Sequence, residues 1–295
     1  MFFQALAQLE PAQAFRVWYI VSLLVYALTL SLLWRAYPGS VNLLRLGWIA
    51  NLAGLWHTLE LGQIYMPLLL AATGAWLFLH RRRDLPAGVL IGLLVAIKPS
   101  FAIWPALLLL AGYGMTALAA LACAAAVSLV PLLAYGPRIY LQWLAATAAY
   151  NGIAIPLNGS LAGMAAHMGL PWLGTVLAAA LLLALALWAR RCRPGRLQLS
   201  GLAIAATLLA SPLSWPGYSL FLLSVLWSRS WRAPLRVAAL LFVFPVWLVL
   251  RWCGNAHWQL LTLGWLYGWA SLLVLGALAV ETWQRGTPSL QVKES

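Results

Sequence analysis

The amino-acid sequence predicts an all-α, polytopic integral membrane protein, a single bundle of about eleven transmembrane helices spanning residues 1–295, and three observations carry that prediction. The chain is 64% hydrophobic and only 8% charged, with a mean hydropathy of +0.89, too little polar surface to cover a water-facing globule. Its apolar runs are uninterrupted and rich in Leu and Ala, without the alternation of barrel strands, and in lipid only helices or a closed barrel satisfy the backbone. The basic residues behind the net charge of +13 stand in short clusters between those runs, which reads as a topology signal and not as a nucleic-acid footprint.

Apolar stretches run over 17–34, 46–61, 64–80, 85–98, 100–113, 115–135, 172–190, 197–211, 216–228, 234–250 and 260–281. Several are shorter than the roughly 20 residues a straight span needs, and the pair meeting at Lys98-Pro99 is the shortest. One kinked helix over 85–113 would invert everything downstream, and the distribution of charge decides against it. With two crossings there, Arg35, Arg45, Arg81–Arg83, Arg190, Arg191, Arg193, Arg196, Arg229, Arg232, Arg236, Arg285 and Lys293 share one side. Only Arg16, Lys98, Arg138 and Arg251 lie on the other. The crowded side is the cytoplasm, which also takes the C-terminal tail; the expected location is a bacterial-type inner membrane. Residues 1–16 then begin on the non-cytoplasmic side as an amphipathic interfacial segment with no preceding helix, so a further upstream span is expected. The longest outer connection, 136–171, is aromatic and broken by Gly and Pro. Its helical part around 138–150 should lie along the membrane surface.

Ionisable and helix-breaking residues at membrane depth are the functional candidates. Lys98 ends a segment of about 13 residues, some 20 Å of helix against a roughly 30 Å hydrocarbon core. Its ammonium either sits in a polar cavity, where Pro99 and Ser100 free backbone groups, or snorkels to the interface. Glu60 stands beside Gly62-Gln63 at the outer end of a helix, with His57 one turn earlier as a possible partner. The segment LLASPLSWPGYSLF forms a rigid non-helical turn through Ser211, Pro212, Ser214, Trp215 and Pro216. Arg138, His167, Arg251 and His257 are further outer-face residues. Asp84 follows three arginines, so a local ion pair is expected there. Cys123, Cys192 and Cys253 have no metal or redox spacing, and no paired carboxylates or His clusters point to a metal or other cofactor. The outer face therefore gathers cations around a cavity suited to an anionic lipid headgroup.

At these positions the chain resembles glycosyltransferase family 87, the polyprenyl-phosphate-hexose-dependent transferases of GT-C type that include bacterial alpha-mannosyltransferases. The block from Leu59 to Leu110 resembles the family's Gly-Gln, basic loop, Ala-Gly-x-x-x-Gly and Lys-x-x-Pro-like order, although here Pro99 follows Lys98 directly. Asn158-Gly159-Ser160-Leu161 resembles its Asn-Gln-Ser-Leu motif, and Ser211–Trp215 its Ser-Pro-x-Ser-Trp motif. The resemblance runs from about residue 10 to 282 and implies a GT-C-like bundle. It further implies inverting transfer of a mannose-like sugar from a polyprenyl-phosphate donor to a glycolipid or glycan acceptor on the non-cytoplasmic face. Two departures matter. Family members begin with another helix and an outer loop carrying an aspartate base, both upstream of this chain. The histidine usual after Ser-Pro-x-Ser-Trp is replaced by Pro216, Gly217 and Tyr218.

Inverting transfer needs a carboxylate base and cations for the departing phosphate. Lys98, assisted by Arg138 or Arg251, is the expected phosphate-binding group. Gln63, Asn158, Ser160, Ser211, Ser214 and Trp215 are expected around sugar or acceptor, and Glu60 is the local base. The rival classes are an inactive, lipid-binding relative and a lipid or solute transporter; no repeated pair of interrupted helices supports the transporter.

Overall fold

Long apolar runs become helices except where proline or a small polar residue interrupts them, and the interruptions set the architecture. The computed structural model describes residues 6–149, 152–254 and 256–286, and helix is the regular structure found among them. The expected tail around residues 291–295 lies outside the described residues.

Helix α1 (Pro11–Ala36) opens with proline in its first turn, where a missing N–H costs nothing. Phe15 and Trp18 border Gly62 at one end of the bundle. At the other, Tyr37 accepts a hydrogen bond from Trp76 Nε1 at 3.1 Å and packs on His80. The stretch expected as one span over 46–61 is two helices, α2 (Leu43–Ala50) and α3 (Ala53–Glu60). Asn42 caps the first of them. Asn51 ends it, its Nδ2 donating to the Gly47 carbonyl at 2.8 Å. Helix α4 (Tyr65–His80) then runs toward the turn 81–83, where Arg82 takes a left-handed φ of 55°.

Helix α5 (Asp84–Ile97), a 3-10 turn (Pro99–Ala102), α6 (Ile103–Leu110) and α7 (Gly114–Tyr135) settle whether 85–113 is one kinked helix. Thr116 Oγ1 donates to Asp84 Oδ1 at 3.0 Å, Gly88 lies against Thr116 and Ala120, and Gly92 against Ala120 and Ala124. Helices α5 and α7 thus lie side by side and point the same way, so residues 98–113 must return along their length. Close approach requires the two glycines, because a methyl group on either would collide with the Thr116 or Ala120 carbonyl oxygen. Gly88→Ala is therefore expected to lose about 1–3 kcal/mol, read as a lower melting temperature of the detergent-solubilised protein.

Helix α8 (Arg138–Ala148) buries none of its residues, as a surface-lying segment would. Helix α9 (Leu161–His167) is capped by Ser160, whose Oγ accepts from Gly163 N at 3.0 Å. Helix α10 (Pro171–Cys192) leads to α11 (Arg196–Ala210), which is enclosed over an unbroken run of buried residues from Leu199 to Leu209. The stretch expected over 216–228 begins as a 3-10 segment (Pro216–Leu222), and α12 (Leu223–Trp227) follows. Pro245 separates α13 (Ala233–Phe242) from α14 (Val246–Trp252), which bend by 83°. After α15 (His257–Gln259) and a π turn (Leu260–Gly264), α16 (Leu266–Gly286) continues at a 54° bend.

Among the described residues three helices, α1, α7 and α10, are each long and apolar enough to cross a bilayer, or up to five spans if each bent pair counts as one. Helices of spanning length alone therefore do not make up the about eleven crossings expected from the apolar stretches. The breaks at Asn51, Pro99, Pro216 and Pro245 cut the apolar runs into shorter pieces.

Basic turns gather at one end. Arg45 is buried and donates to the Trp227 carbonyl at 2.7 Å and to that of Arg229, satisfying the end of α12. Arg229 pairs with Glu281 at 3.4 Å and lies over Trp76 in the last turns of α4. Asp84 pairs with Arg196 at 3.0 Å and not, as expected, with the arginines just before it. Placed in the first turn of α5, its carboxylate also opposes that helix's positive end.

Candidate functional site

Opposite the basic turns, four short sequence motifs converge. Helix α3 ends in a Schellman motif: Gly62 N donates to Leu59 O at 3.2 Å and Gln63 N to Thr58 O at 3.0 Å. Gly62 occupies the left-handed position, φ 59°, which L side chains rarely adopt. The turn presents Gln63 and then Tyr65 to the interior. Here a physical reason emerges for glycine followed by glutamine at this point of the chain.

Lys98 caps the C-terminus of α5, where its N–H still donates to Leu94 O at 2.7 Å before Pro99 stops the helix. Its side chain turns into an aromatic cluster. The ammonium stands 2.8 Å from the centroid of the Tyr218 ring and 5.1 Å from that of Tyr65. Tyr65 and Tyr218 meet edge to face at 4.9 Å, and Phe221 joins them to Phe101. Among the described residues the ion pairs are Arg196–Asp84 and Arg229–Glu281, so no carboxylate neutralises Lys98.

Three buried polar atoms in the same region have no hydrogen-bond partner: His57 Nδ1, Thr58 Oγ1 and Gln63 Oε1. Such orphans are rare in folded chains and mark places that a ligand or water completes. His57 is buried and stacks on Trp215 with centroids 6.2 Å apart, so it joins the Ser-Pro-x-Ser-Trp segment and makes no hydrogen bond to Glu60. Glu60 is exposed. It opens with His57 onto a cavity of about 290 Å³ against Pro245 and Trp247, at the bend between α13 and α14.

The Asn158–Ser160 and Ser211–Trp215 segments are tied together directly. Asn158 Nδ2 donates to the carbonyls of Ile153 and Pro212, both at 3.0 Å, and its Oδ1 accepts from Ser214 N at 2.9 Å and Ser160 N at 3.3 Å. All four positions of the amide are engaged, leaving none for a sugar. Ser160 Oγ donates to Pro212 O at 3.1 Å, and Gly159 N to Ser214 O at 2.9 Å. Trp265 Nε1 closes the arrangement on Ser160 O at 2.7 Å. Ser211 and Ser214 are buried at the end of α11 and in the turn that follows.

Arg138 and Arg251 are placed differently. Both are exposed, on α8 and α14, and no hydrogen bond, ion pair or ring contact links either to Lys98. His167, at the end of α9, is buried with Nε2 unpartnered, and burial holds its pKa below the ordinary histidine value. The His167 carbonyl meets His257 Nδ1 at 2.8 Å. Among the described residues no group of His, Cys, Asp and Glu is arranged to hold a metal.

Sequence reasoning missed Tyr65, Thr58 and the aromatic box around Lys98. The signal was faint: Tyr65 follows Gln63 by two residues, and Tyr218 stands where a basic side chain was expected.

The family model for glycosyltransferase family 87 matches residues 1–212, which takes in the Gly-Gln turn, Lys98 and the Asn158 segment and stops within the Ser-Pro-x-Ser-Trp turn. No curated protein and no solved structure matches the chain.

Proposed function

The chain belongs to glycosyltransferase family 87, and from that premise we propose that it moves a hexose, mannose-like, from a polyprenyl-phosphate donor to a glycolipid or glycan acceptor at the non-cytoplasmic face of the membrane. One observation carries the reading: a half-buried cation, boxed by aromatic rings and without a carboxylate partner, stands at the same junction as three orphaned polar atoms, on α3, the Gly-Gln turn and the Pro99 break. A phosphate oxygen and sugar hydroxyls are the complementary chemistry.

In this scheme the acceptor hydroxyl attacks the anomeric carbon from the face opposite the phosphate. The bond from that carbon to the phosphate oxygen breaks, and the configuration inverts. Lys98 neutralises the departing polyprenyl phosphate. The hydroxyl proton goes to Glu60 across the adjoining cavity, with His57 between the cavity and Trp215. Gln63 and Thr58 hydrogen-bond sugar or phosphate. Asn158 and Ser160, with their hydrogen bonds committed inside the chain, hold the Ser211–Trp215 turn in place. Arg138 and Arg251 serve as surface cations at the same face.

We further propose that the short and bent elements complete the crossings that α1, α7 and α10 begin, eleven in all, with the basic turns and the C-terminus in the cytoplasm of a bacterial-type inner membrane. The parallel pairing of α5 and α7 around a returning α6 supports this, as does the collection of the 81–83, 193–195 and 228–232 turns at one end.

The test is incubation of membranes carrying the protein with labelled polyprenyl-phosphate hexoses. Transfer to a lipid or glycan product supports the proposal, and label that stays on the donor with every hexose overturns it. A second reading, donor binding without transfer, is favoured by one observation: Glu60 is exposed and no contact joins it to the Lys98 cluster. Retention of labelled donor by the purified protein with no product would select that reading.

A further inference from the structure

The end of the bundle remote from Lys98 carries a second polar cavity. Helices α4, α5 and α11 each have one terminus at the candidate site, at Tyr65, Lys98 and Ser211, and the other at this cavity, near His80, Asp84 and Arg196. A 14- to 16-residue helix is about 21–24 Å long, so the two places are separate. The cavity measures about 340 Å³ and lies between the turn 81–83, the end of α6 and the start of α11, bordered by His80, Arg82, Tyr113, Arg196 and Gln198.

Its polar lining consists largely of donors. Arg196 Nη2 is spent on Asp84 at 3.0 Å and its guanidinium lies over the Tyr113 ring, but Arg196 Nε is buried with no acceptor. Gln198 Nε2 is likewise buried and unpartnered. Tyr113 gives its hydroxyl proton to Pro194 O at 2.8 Å, fixing the α10–α11 turn at the rim. Arg82 is exposed and flanked by Arg81 and Arg83, and the α10–α11 turn adds Arg193. Asp84 offsets one of these charges. Two orphaned N–H groups in a cationic recess call for an oxyanion.

The surroundings favour one carried by a lipid. Leu109 and Leu110, the last residues of α6 just before Tyr113, are exposed at 46% and 38%, and Leu187 near the end of α10 at 47%. Outward apolar side chains beside a basic recess suit acyl chains below a charged headgroup. We propose that this cavity binds the phosphate of an anionic phospholipid, independently of the transferase site.

Native mass spectrometry of the purified full-length protein with dioleoylphosphatidylglycerol or dioleoylphosphatidylcholine tests it. Wild type should retain the anionic lipid about fivefold more than the zwitterionic one. The double variant Arg82→Gly with Gln198→Leu should lose that preference, while Arg236→Gln, an equal loss of charge away from the cavity, should keep it. Arg82 holds a left-handed φ of 55°, so glycine there relaxes the backbone and the melting temperature should not fall on its account. Equal retention of the two lipids by wild type, or a preference that survives in the double variant, overturns the proposal. Inorganic phosphate is the separate arm: if it stabilises wild type through Arg82 and Gln198 while neither lipid is preferred, the site is one for free phosphate and the lipid assignment falls.

Discussion

Lys98→Met should lower transfer from a labelled polyprenyl-phosphate hexose by about 10²- to 10³-fold, the loss usual when a group that stabilises developing negative charge is removed. In the proposed reaction the departing polyprenyl phosphate is a dianion that gains charge on oxygen as the glycosidic bond breaks, and Lys98 is the cation held in the aromatic cluster. Its surroundings make the effect catalytic in origin. The ammonium touches ring faces and no carboxylate, so methionine leaves no buried countercharge behind and can fill the same aromatic box. The melting temperature should hold or rise while activity disappears. Lys98→Arg keeps the charge but brings a planar, wider head into a space bounded by Tyr65 and Tyr218, so it should recover only part of the rate. Undiminished transfer by the methionine variant would remove the cation from the mechanism.

The sequence made legible what depends on local chemistry and left out what depends on packing. The helical class followed from solvent alone, and the separation at Lys98-Pro99 from charge alone; the parallel register of α5 and α7 agrees with it. The broken helices were harder to read. Asn51 and Pro245 lie inside apolar stretches that satisfy any hydropathy window, yet each ends a helix, because one returns its side chain to the backbone and the other has no N–H to give. At the site, Gln63 and Lys98 stood out as polar groups in apolar surroundings. Tyr65 and Tyr218 did not, since 12% of the chain is aromatic and a ring over an ammonium looks in sequence like any interfacial tyrosine. Asp84 shows the same limit: three adjacent arginines make a convincing local partner, but α5 points its carboxylate across to Arg196, 112 residues later. Asn158 was noticed as a polar motif residue, and only the three-dimensional arrangement reveals that its amide faces two carbonyls and two backbone N–H groups.

From that arrangement the second large effect follows. Asn158→Leu should destabilise the protein by about 3 kcal/mol or more, because a buried side chain serving four backbone groups cannot be replaced by an apolar one without stranding several of them at about 1–3 kcal/mol each. Water cannot readily take over. Asn158 is 1% exposed, and Ser160 Oγ, which also accepts from Gly163 N, has its one donor already committed to Pro212 O. The damage should spread to function through position. With Ser214 N stranded and Pro212 O left to Ser160 Oγ alone, the turn that orients Trp215 against His57 and Tyr218 against Lys98 keeps only the Ser160–Pro212 and Gly159–Ser214 bonds to the 158–160 segment. Asn158→Asp breaks only the donor half of the clasp: it keeps the acceptor for Ser160 N and Ser214 N but puts a carboxylate oxygen against the Ile153 and Pro212 carbonyls. Both variants should therefore melt lower than wild type in detergent and lose transfer, whereas Lys98→Met loses transfer alone. An Asn158→Leu protein with wild-type melting and wild-type rate would show that the clasp does not hold the site together.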